Sequence, residues 1–489
     1  MVHRKNHEEP EVRLIMERVL VYGHFKSVHL GHLRLMEYAK SLGSSLFVGI
    51  YNSRSSDSDI DFSESMIRAF PFELEVIKYS ELGELLDAVK PDIVVRGQEF
   101  KNSKDSENDL IEGRGIRLFF GSGSTHISEE NLRIPDTEKV TLRQTFRKYA
   151  VVNVLNAETL KEALRKFSGK RVTVVGDLIV DEFVSCQSIG MSQEDPVIVS
   201  TPIATTRYIG GAGIVAAHCQ AMGAIVNLVS LVGKDEPASW AKEELSKYQV
   251  KSHFVIDESR PTVVKQRFKN SNQTLFRLTH FRSEEAGTAL LEEISQISLS
   301  LIESCDLIIF SDFGYGTTHP SVVSRLMHRV REVGTIFTAA DSQSSSQVGS
   351  LEKFKGVQLV TPTEHEARIE LRNETDGIAM ITQRLSQSLD ISSVILKLGA
   401  DGVLLGGFSE NNEAHKTSQI PAANQNAIDV SGAGDSLLAV SSLAMASGFK
   451  LYESAFLGSI AAGIQVSRRG NIPIKEKEVE EIIERVFLA

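Results

Sequence analysis

Asp429-Val430-Ser431-Gly432-Ala433-Gly434-Asp435 places a glycine-rich turn and a carboxylate at the apparent start of a helix, with the apolar run Leu437 to Ala446 behind it. Small residues let backbone N–H groups approach an anion closely, and the positive N-terminal end of the helix faces the same charge. That is equipment for phosphoryl transfer, with Asp435 placed to accept the proton of an attacking hydroxyl. Tight turns before helices also use these residues with no ligand, so the surrounding chain has to decide.

That surrounding chain alternates strand-like and helix-like segments in two blocks, about Arg18 to Ile127 and about Lys170 to the end, a periodicity that predicts α/β architecture. In the first block Arg18 to Gly23 reads as a buried strand, Leu33 to Leu42 as a helix, and Ser45 to Ile50 and Asp92 to Arg96 as further strands of a parallel sheet. The second block carries strand patterns at Arg171 to Asp177, Leu307 to Asp312, Gly356 to Thr361 and Ser393 to Lys397. Between the blocks, Glu129 to Gly169 reads as a linker ending in a docking helix, Glu158 to Phe167, with Leu160, Ala163, Leu164 and Phe167 on one face. The expected division is residues 1–130, a linker with docking helix over 131–169, and a second domain over 170–489.

At 489 residues the chain exceeds one ordinary core. Its 64 acidic and 53 basic residues give a formal charge of −11, and the absence of a long Lys/Arg cluster argues against a nucleic-acid partner. An acidic protein can still take phosphorylated substrates through local N–H cradles, a few cations and a divalent metal, so magnesium is implied by chemistry. The three cysteines, Cys186, Cys219 and Cys305, are scattered and odd in number, against a disulfide framework or a zinc motif. No stretch approaches the ~18 apolar residues of a membrane span, and a cytoplasmic protein with no membrane partner is expected.

Two sites follow. His29-Leu30-Gly31-His32 comes just after the opening strand, where the first helix begins. Imidazoles at i and i+3 on a first turn point the same way and can stabilise charge on the α-phosphate and leaving pyrophosphate of a nucleoside triphosphate, or they can merely cap the helix. Gly210-Gly211-Ala212-Gly213 follows an expected pair of lid strands, Pro196 to Ser200 and Thr205 to Ile209, and leads into a helix near Val215. Such glycines allow backbone approach to a small ligand, a hinge, or close packing.

The segment Val21 to His32 resembles the first motif of the nucleotidylyltransferase superfamily. Lys90 to Phe100 is similar to its lysine-proline-aspartate strand, and Gly121 to Ile127 to its late Ser/Thr motif. The resemblance implies a Rossmann-like fold and puts Arg96, Ser124 and Thr125 near the phosphates of ATP or CTP, beside His29 and His32. Lys26 stands where that superfamily has an acidic residue, and the middle segment Asp57 to Arg68 matches poorly.

From Lys170 to Ile474 the chain resembles the ribokinase (PfkB) family, on Gly210-Gly211 and the late Gly432-Ala-Gly-Asp435. Within it the chain is most similar to bacterial bifunctional heptose 7-phosphate kinase/heptose 1-phosphate nucleotidylyltransferases, on Val175 to Asp181, Ser192 to Val197, Pro261 to Arg267, Phe310 to Asp312 and Thr361 to Glu366. The resemblance implies a ribokinase-like α/β domain with a small β lid, through which such kinases often form homodimers. It makes Asp435 the base and Gly432, Ala433 and Gly434 donors to the transferred phosphoryl group. Asp177, Asp181, Gly210, Gly211, Lys265 and Asp312 fall at the sugar, Lys397, Gly399 and Gly402 at ATP, and Glu366 positions magnesium through water.

Departures from the family pattern are Ile214 for an asparagine, Tyr315 near an expected lysine, Asp341-Ser342-Gln343 for Asp-Pro-Lys, and Thr363 for another asparagine. Lost polar donors, each worth ~1–3 kcal/mol, point to a changed acceptor. The domain order is also reversed from the common bifunctional enzyme, in which the kinase comes first. The expectation is a sugar-activating enzyme that phosphorylates a sugar or sugar phosphate and then transfers a nucleotidyl group to the sugar 1-phosphate. The alternative is a kinase whose N-terminal domain only binds nucleotide.

Overall fold

A computed structural model describes residues 17–25, 28, 30–52, 57–68, 70, 72–97, 100, 106–121, 150, 155–270, 273–282, 284–343, 350–407, 418–424 and 427–487. The chain divides into two compact units, Met1–Ile134 with Glu374–Ile378 and Pro135–Asn373 with Ala379–Ala489.

In the first unit β1 (Arg18–Gly23), β2 (Ser45–Tyr51), β3 (Glu75–Tyr79), β4 (Ile93–Gly97) and β5 (Arg117–Gly121) form one parallel sheet in the order β3-β2-β1-β4-β5. Successive side chains of β1 serve opposite faces. Val19 and Val21 pack with Met36 and Ala39 of helix Leu30–Ser41, whereas Leu20 packs with Leu85, Leu86 and Val89 of helix Leu82–Val89. A strand buried on both faces needs no polar alternation, which is why Arg18–Gly23 reads as a continuous apolar run. The strand order reverses between β1 and β4, and in such sheets the crevice for ligands opens beyond the carboxyl ends of those two strands.

In the second unit, helix Ala157–Phe167 is capped by Asn156, whose side chain accepts from Thr159 N–H at 2.8 Å. Its buried Leu160, Ala163, Leu164 and Phe167 join the main core with Val172 and Val174. The central sheet has nine strands: β6 (Arg171–Gly176), β9 (Ile225–Val232), β10 (Lys251–Ile256), β13 (Leu307–Asp312), β14 (Phe337–Ser342), β15 (Leu359–Val360), β16 (Ser393–Lys397), β17 (Val403–Gly407) and β18 (Ser418–Ile420). Only the β16–β17 and β17–β18 pairings are antiparallel.

The separate four-stranded lid has the order β12-β11-β7-β8, from β7 (Leu178–Met191), β8 (Ile198–Gly211), β11 (Val264–Asn270) and β12 (Gln273–His280). Where two short lid strands were expected, β8 is one 14-residue strand. The helix after it starts at Ala212, not near Val215, because Gly211 makes the turn at φ 55°. A side chain at Gly211 would put its Cβ 2.3 Å from the Asp177 carbonyl oxygen, so the turn needs glycine twice over.

Candidate active site

Helix Ala433–Ala446 opens on Gly432, which adopts the left-handed conformation at φ 75°, and no side chain caps its first turn. Uncapped first-turn N–H groups are the orphan donors that an anion satisfies. In the ligand-free chain one of them, Ala433 N–H, makes a long 3.4 Å bond to the Val430 carbonyl. Gly432, Ala433, Gly434 and Asp435 line a cavity of about 510 Å³ that also takes in Asp181, Gly211, Lys265, Lys397, Gly399, Gly402 and Glu366. The structure therefore gathers most of the second block's expected site residues around one space.

Asp435 is part-buried on that helix's first turn. Burial, with Asp341 and Asp181 nearby, pushes its pKa up to about 7 against the pull of Lys397 and Lys265. A carboxylate so placed is poised as a base near neutral pH. Across from it, at the carboxyl end of β16, Lys397 Nζ donates to both carboxylate oxygens of Asp341 at 2.9 and 2.8 Å. Burial disfavours the charged lysine, but Asp341, Glu366 and Asp435 outweigh that and raise its pKa. A Cβ at Gly434 would lie 3.2 Å from Lys397 Nζ, so the ammonium sits directly against the cradle.

Glu366 is buried at the start of helix Glu364–Leu371 and closes a capping box with Thr363: its Oε2 accepts from Thr363 N–H at 2.7 Å, and Thr363 Oγ1 accepts from Glu366 N–H at 3.2 Å. Among the described residues no group of three His, Cys, Asp or Glu side chains is arranged to hold a metal by itself. Magnesium keeps several waters and takes phosphate oxygens as ligands, so one lining carboxylate acting through water fits this donor set.

At the other end of the cavity Asp181, on β7, accepts from Asn471 Nδ2 at 3.0 Å and pairs with Arg267 at 3.3 Å. Burial raises its pKa while Arg267 and Lys265 pull it down. Gly210 lies against it, since a Cβ there would fall 2.3 Å from Asp181 Oδ2. Lys265 stands opposite Asp181 in the β11–β7 register, over the rings of Phe313 (4.9 Å) and Tyr315 (5.5 Å). Its burial lowers its pKa although Asp181 and Asp435 oppose this.

The carboxylates of Asp177 and Asp312, expected at the sugar, are engaged by neighbouring groups of the protein. Asp177 Oδ2 accepts from Phe313 and Tyr315 N–H and Oδ1 from Thr317 N–H, all at 2.9–3.0 Å. Asp312 accepts from Gly314 N–H and the Thr318 and Ser342 hydroxyls, and pairs with Lys353 at 2.8 Å. Both are almost fully buried and neither lines the cavity. They fasten the loop after β13, which carries Phe313 to the cavity wall.

Sequence reasoning did not assign Arg267, Arg277, Asp341 or Asn471, all of which line the same space. Asp341 carried one signal, a carboxylate at the end of an apolar strand. Asn471 carried none.

In the first unit His29, Ser124, Thr125 and Lys26 lie outside the described residues. His32 is part-buried, edge-on to Phe25 with ring centroids 5.0 Å apart. Arg96, next to last in β4, reaches the expected crevice end of the strand but is only 6% exposed. Its guanidinium donates to Glu107 Oε2 (2.9 Å) and Asn108 Oδ1 (2.6 Å) and lies over the rings of Phe100 and Tyr22. The Tyr22 hydroxyl donates to the same Glu107 oxygen.

Comparison with known proteins agrees with this geometry. Residues 170–478 match the pfkB family carbohydrate kinase profile, and residues 20–115 match the cytidylyltransferase-like profile. The bifunctional protein HldE of Nitratiruptor sp. is 28% identical over 315 residues, 64% of this chain and 64% of that protein. HldE of Desulfatibacillum aliphaticivorans is 29% identical over 318 residues, 64% of this chain and 63% of that one. The chain thus matches just under two thirds of the length of these curated relatives.

Among solved structures, phosphofructokinase-2 from Escherichia coli in complex with fructose-6-phosphate superposes with a TM-score of 0.52 at 16% identity, covering 65% of this chain and 99% of that one. A ribokinase from Thermotoga maritima gives 0.50 at 19%, covering 64% and 99%. At such identities the likeness is one of fold.

Proposed function

Because the chain belongs to the pfkB family of carbohydrate kinases, we propose that its second unit transfers the γ-phosphoryl group of ATP to a hydroxyl of a sugar or sugar phosphate resembling heptose 7-phosphate. The observation that carries this is Asp435, held with a pKa of about 7 on the uncapped first turn of a helix beside the Lys397–Asp341 pair. Asp435 takes the proton of the acceptor hydroxyl as its oxygen attacks phosphorus. The first-turn N–H groups and Gly432 to Gly434 hold the transferred group, where each preorganised donor is worth on the order of 3 kcal/mol. Lys397 balances charge at the phosphates, and Asp181 orients the acceptor. Glu366 would hold magnesium through water, and the ion would screen the phosphate charge.

The first unit then couples the sugar 1-phosphate to a nucleotide from ATP or CTP with release of pyrophosphate, yielding an activated sugar for a surface glycan. The match to the cytidylyltransferase-like profile supports this step. A second reading, in which this unit only binds nucleotide and regulates the kinase, is favoured by the engagement of Arg96 with Glu107 and Asn108. One experiment separates them: purified protein with MgATP, a panel of sugars and sugar phosphates, and parallel detection of ADP and, with added nucleotides, pyrophosphate. Both signals on one substrate support the two-step enzyme; ADP alone leaves the kinase; neither refutes both.

The lid carries exposed Ile189, Met191, Ile198, Ile203 and Phe276, and exposed apolar side chains on one small sheet suit a contact surface. A homodimer through the lid covers it. Among the described residues no helix is long and apolar enough to cross a membrane.

A further inference from the structure

Arg267 closes a ring of hydrogen bonds and one ion pair at the wall of the kinase cavity. From lid strand β11 its Nη1 donates to Ser431 Oγ at 2.8 Å, while Nη2 sits 3.3 Å from Asp181 Oδ1 on β7. Ser431 in turn donates through both Oγ (2.8 Å) and N–H (3.1 Å) to Asp429 Oδ1. Asp429 Oδ2 accepts from Gly470 N–H at 3.3 Å, and the next residue, Asn471, donates from Nδ2 to Asp181 Oδ2 at 3.0 Å. Gln465 Nε2 braces the ring from within by donating to the carbonyls of Ser431 (3.1 Å) and Gly470 (2.9 Å).

Four separate pieces of chain meet in this ring: β7, β11, the segment leading to Gly432, and the segment 467–471. One side ends on the carboxylate placed at the acceptor, the other on the residue immediately before the phosphoryl cradle. The arrangement is held against a local cost, because Arg267 faces Arg277 directly across the β11–β12 pair, and like charges opposite one another destabilise a sheet. Apart from its stacking over Phe183 at 5.0 Å, Arg267 is devoted to Ser431 and Asp181.

We propose that Arg267 is a positioning residue that ties the lid and the acceptor carboxylate Asp181 to the segment 429–432, so that the cradle is set for transfer only with β11 in place. The proposal rests on the kinase reading for its catalytic consequence, but not for its structural one. Ser431 is the joint: it receives Arg267 and directly precedes the left-handed Gly432 whose conformation starts the helix.

The test uses the full chain as R267Q, R267K, S431A and the R267Q/S431A double variant, with two readouts. Amide hydrogen exchange over residues 429–435, on the ligand-free protein, is expected to speed up about tenfold or more in R267Q and in S431A, with the double variant no faster than either and Tm near that of the parent. Kinase turnover, on whichever acceptor the panel identifies, is expected to lose on the order of 10–100-fold in kcat with KM for ATP nearly unchanged, and R267K to recover part of it.

Unchanged exchange at 429–435 in a natively folded R267Q, or additive effects in the double variant, overturns the proposal. S431A removes a single oxygen and keeps the test open if R267Q does not fold. A parent protein that forms no ADP with any acceptor refutes the kinase reading instead, and the exchange result still decides the coupling.

Discussion

Replacing Asp435 by asparagine removes the proposed base while keeping the shape of the first turn. General-base catalysis contributes ~10²–10⁴ in rate, a barrier difference of about 3–5 kcal/mol. Because asparagine keeps every backbone N–H donor of the cradle, kcat should fall by that factor while KM for ATP changes little. The pH profile should change with it. Burial and the flanking Asp341 hold the group near 7, so the rate of the parent rises as pH passes about 7, and the variant lacks that limb.

Stability moves in the opposite sense. A folded-state pKa of about 7 above an ordinary value of 3.8 means that the group's contribution is fully present below 3.8 and is lost as pH rises to about 7. The variant should therefore match or exceed the parent's Tm at pH 8. Steady-state ADP release from pH 5.5 to 9, with thermal melts at the two ends, measures both. A variant within tenfold of the parent's kcat, or one that keeps the limb near 7, refutes Asp435 as the base.

Lys397→Met breaks a pair whose side chains are 17% and 16% exposed and leaves Asp341 and Glu366 facing each other, so denaturant unfolding should report a loss of roughly 3 kcal/mol, and a loss under about 1 would mean the pair is solvated. Gly210→Ala puts a methyl group where Asp181 Oδ2 lies, 2.3 Å from the ideal Cβ, and should raise KM for the acceptor by roughly 10–100-fold with KM for ATP unchanged. Equal changes in both constants would detach Asp181 from the acceptor. Glu107→Gln loosens the hold on Arg96, and nucleotide binding measured by calorimetry should tighten by about 2–5-fold; weaker binding would mean that the ion pair itself shapes the nucleotide site.

Much of the fold was legible because the strands are either apolar throughout or flanked by helices of clear period. Where reading and structure part, the cause is tertiary. Pro202 interrupts the pattern between Pro196 and Ile209 and reads as a break, yet β8 continues through it. The strand lies at the edge of the lid sheet, and Pro202 pairs with Cys186 at a bulge, the setting in which a strand tolerates a residue without an N–H. The expected strand Gly356 to Thr361 shrinks to Leu359–Val360: Gly356, at φ 84°, donates its N–H to the Leu389 carbonyl and Val357 N–H donates back to the Phe354 carbonyl, so the ladder starts after them.

The site was legible where chemistry and backbone conformation share a few consecutive residues, as in Gly432 to Asp435 or the Thr363–Glu366 cap. Asp177 and Asp312 show the converse. A carboxylate at a strand end can face a ligand or fold back onto its own loop, and only the positions of the Phe313, Tyr315 and Thr317 N–H groups decide which. Asn471 and Asp181 are 290 residues apart, so no local pattern joins them.

Charge around the cavity explains why so acidic a chain can hold phosphate. Its walls carry Asp181, Asp341, Glu366 and Asp435 against Lys265, Arg267, Arg277 and Lys397, a formal balance in a protein whose net charge is −11. Three of these four cations are already engaged, Lys397 by Asp341, Arg267 by Asp181 and Ser431, and Lys265 by Gln343 Oε1 at 3.4 Å. Attraction for a triphosphate must then come largely from groups that carry no formal charge, the uncapped N–H groups of helix Ala433–Ala446 and the glycine turn before it, reinforced by a bound divalent ion. Protonation of Asp435 near pH 7 tips the walls to a net positive charge, which favours anion binding in the same pH range in which the base is disabled. On the proposed mechanism phosphate binding and phosphoryl transfer pull on Asp435 in opposite directions, and a pKa near 7 lies between the two demands.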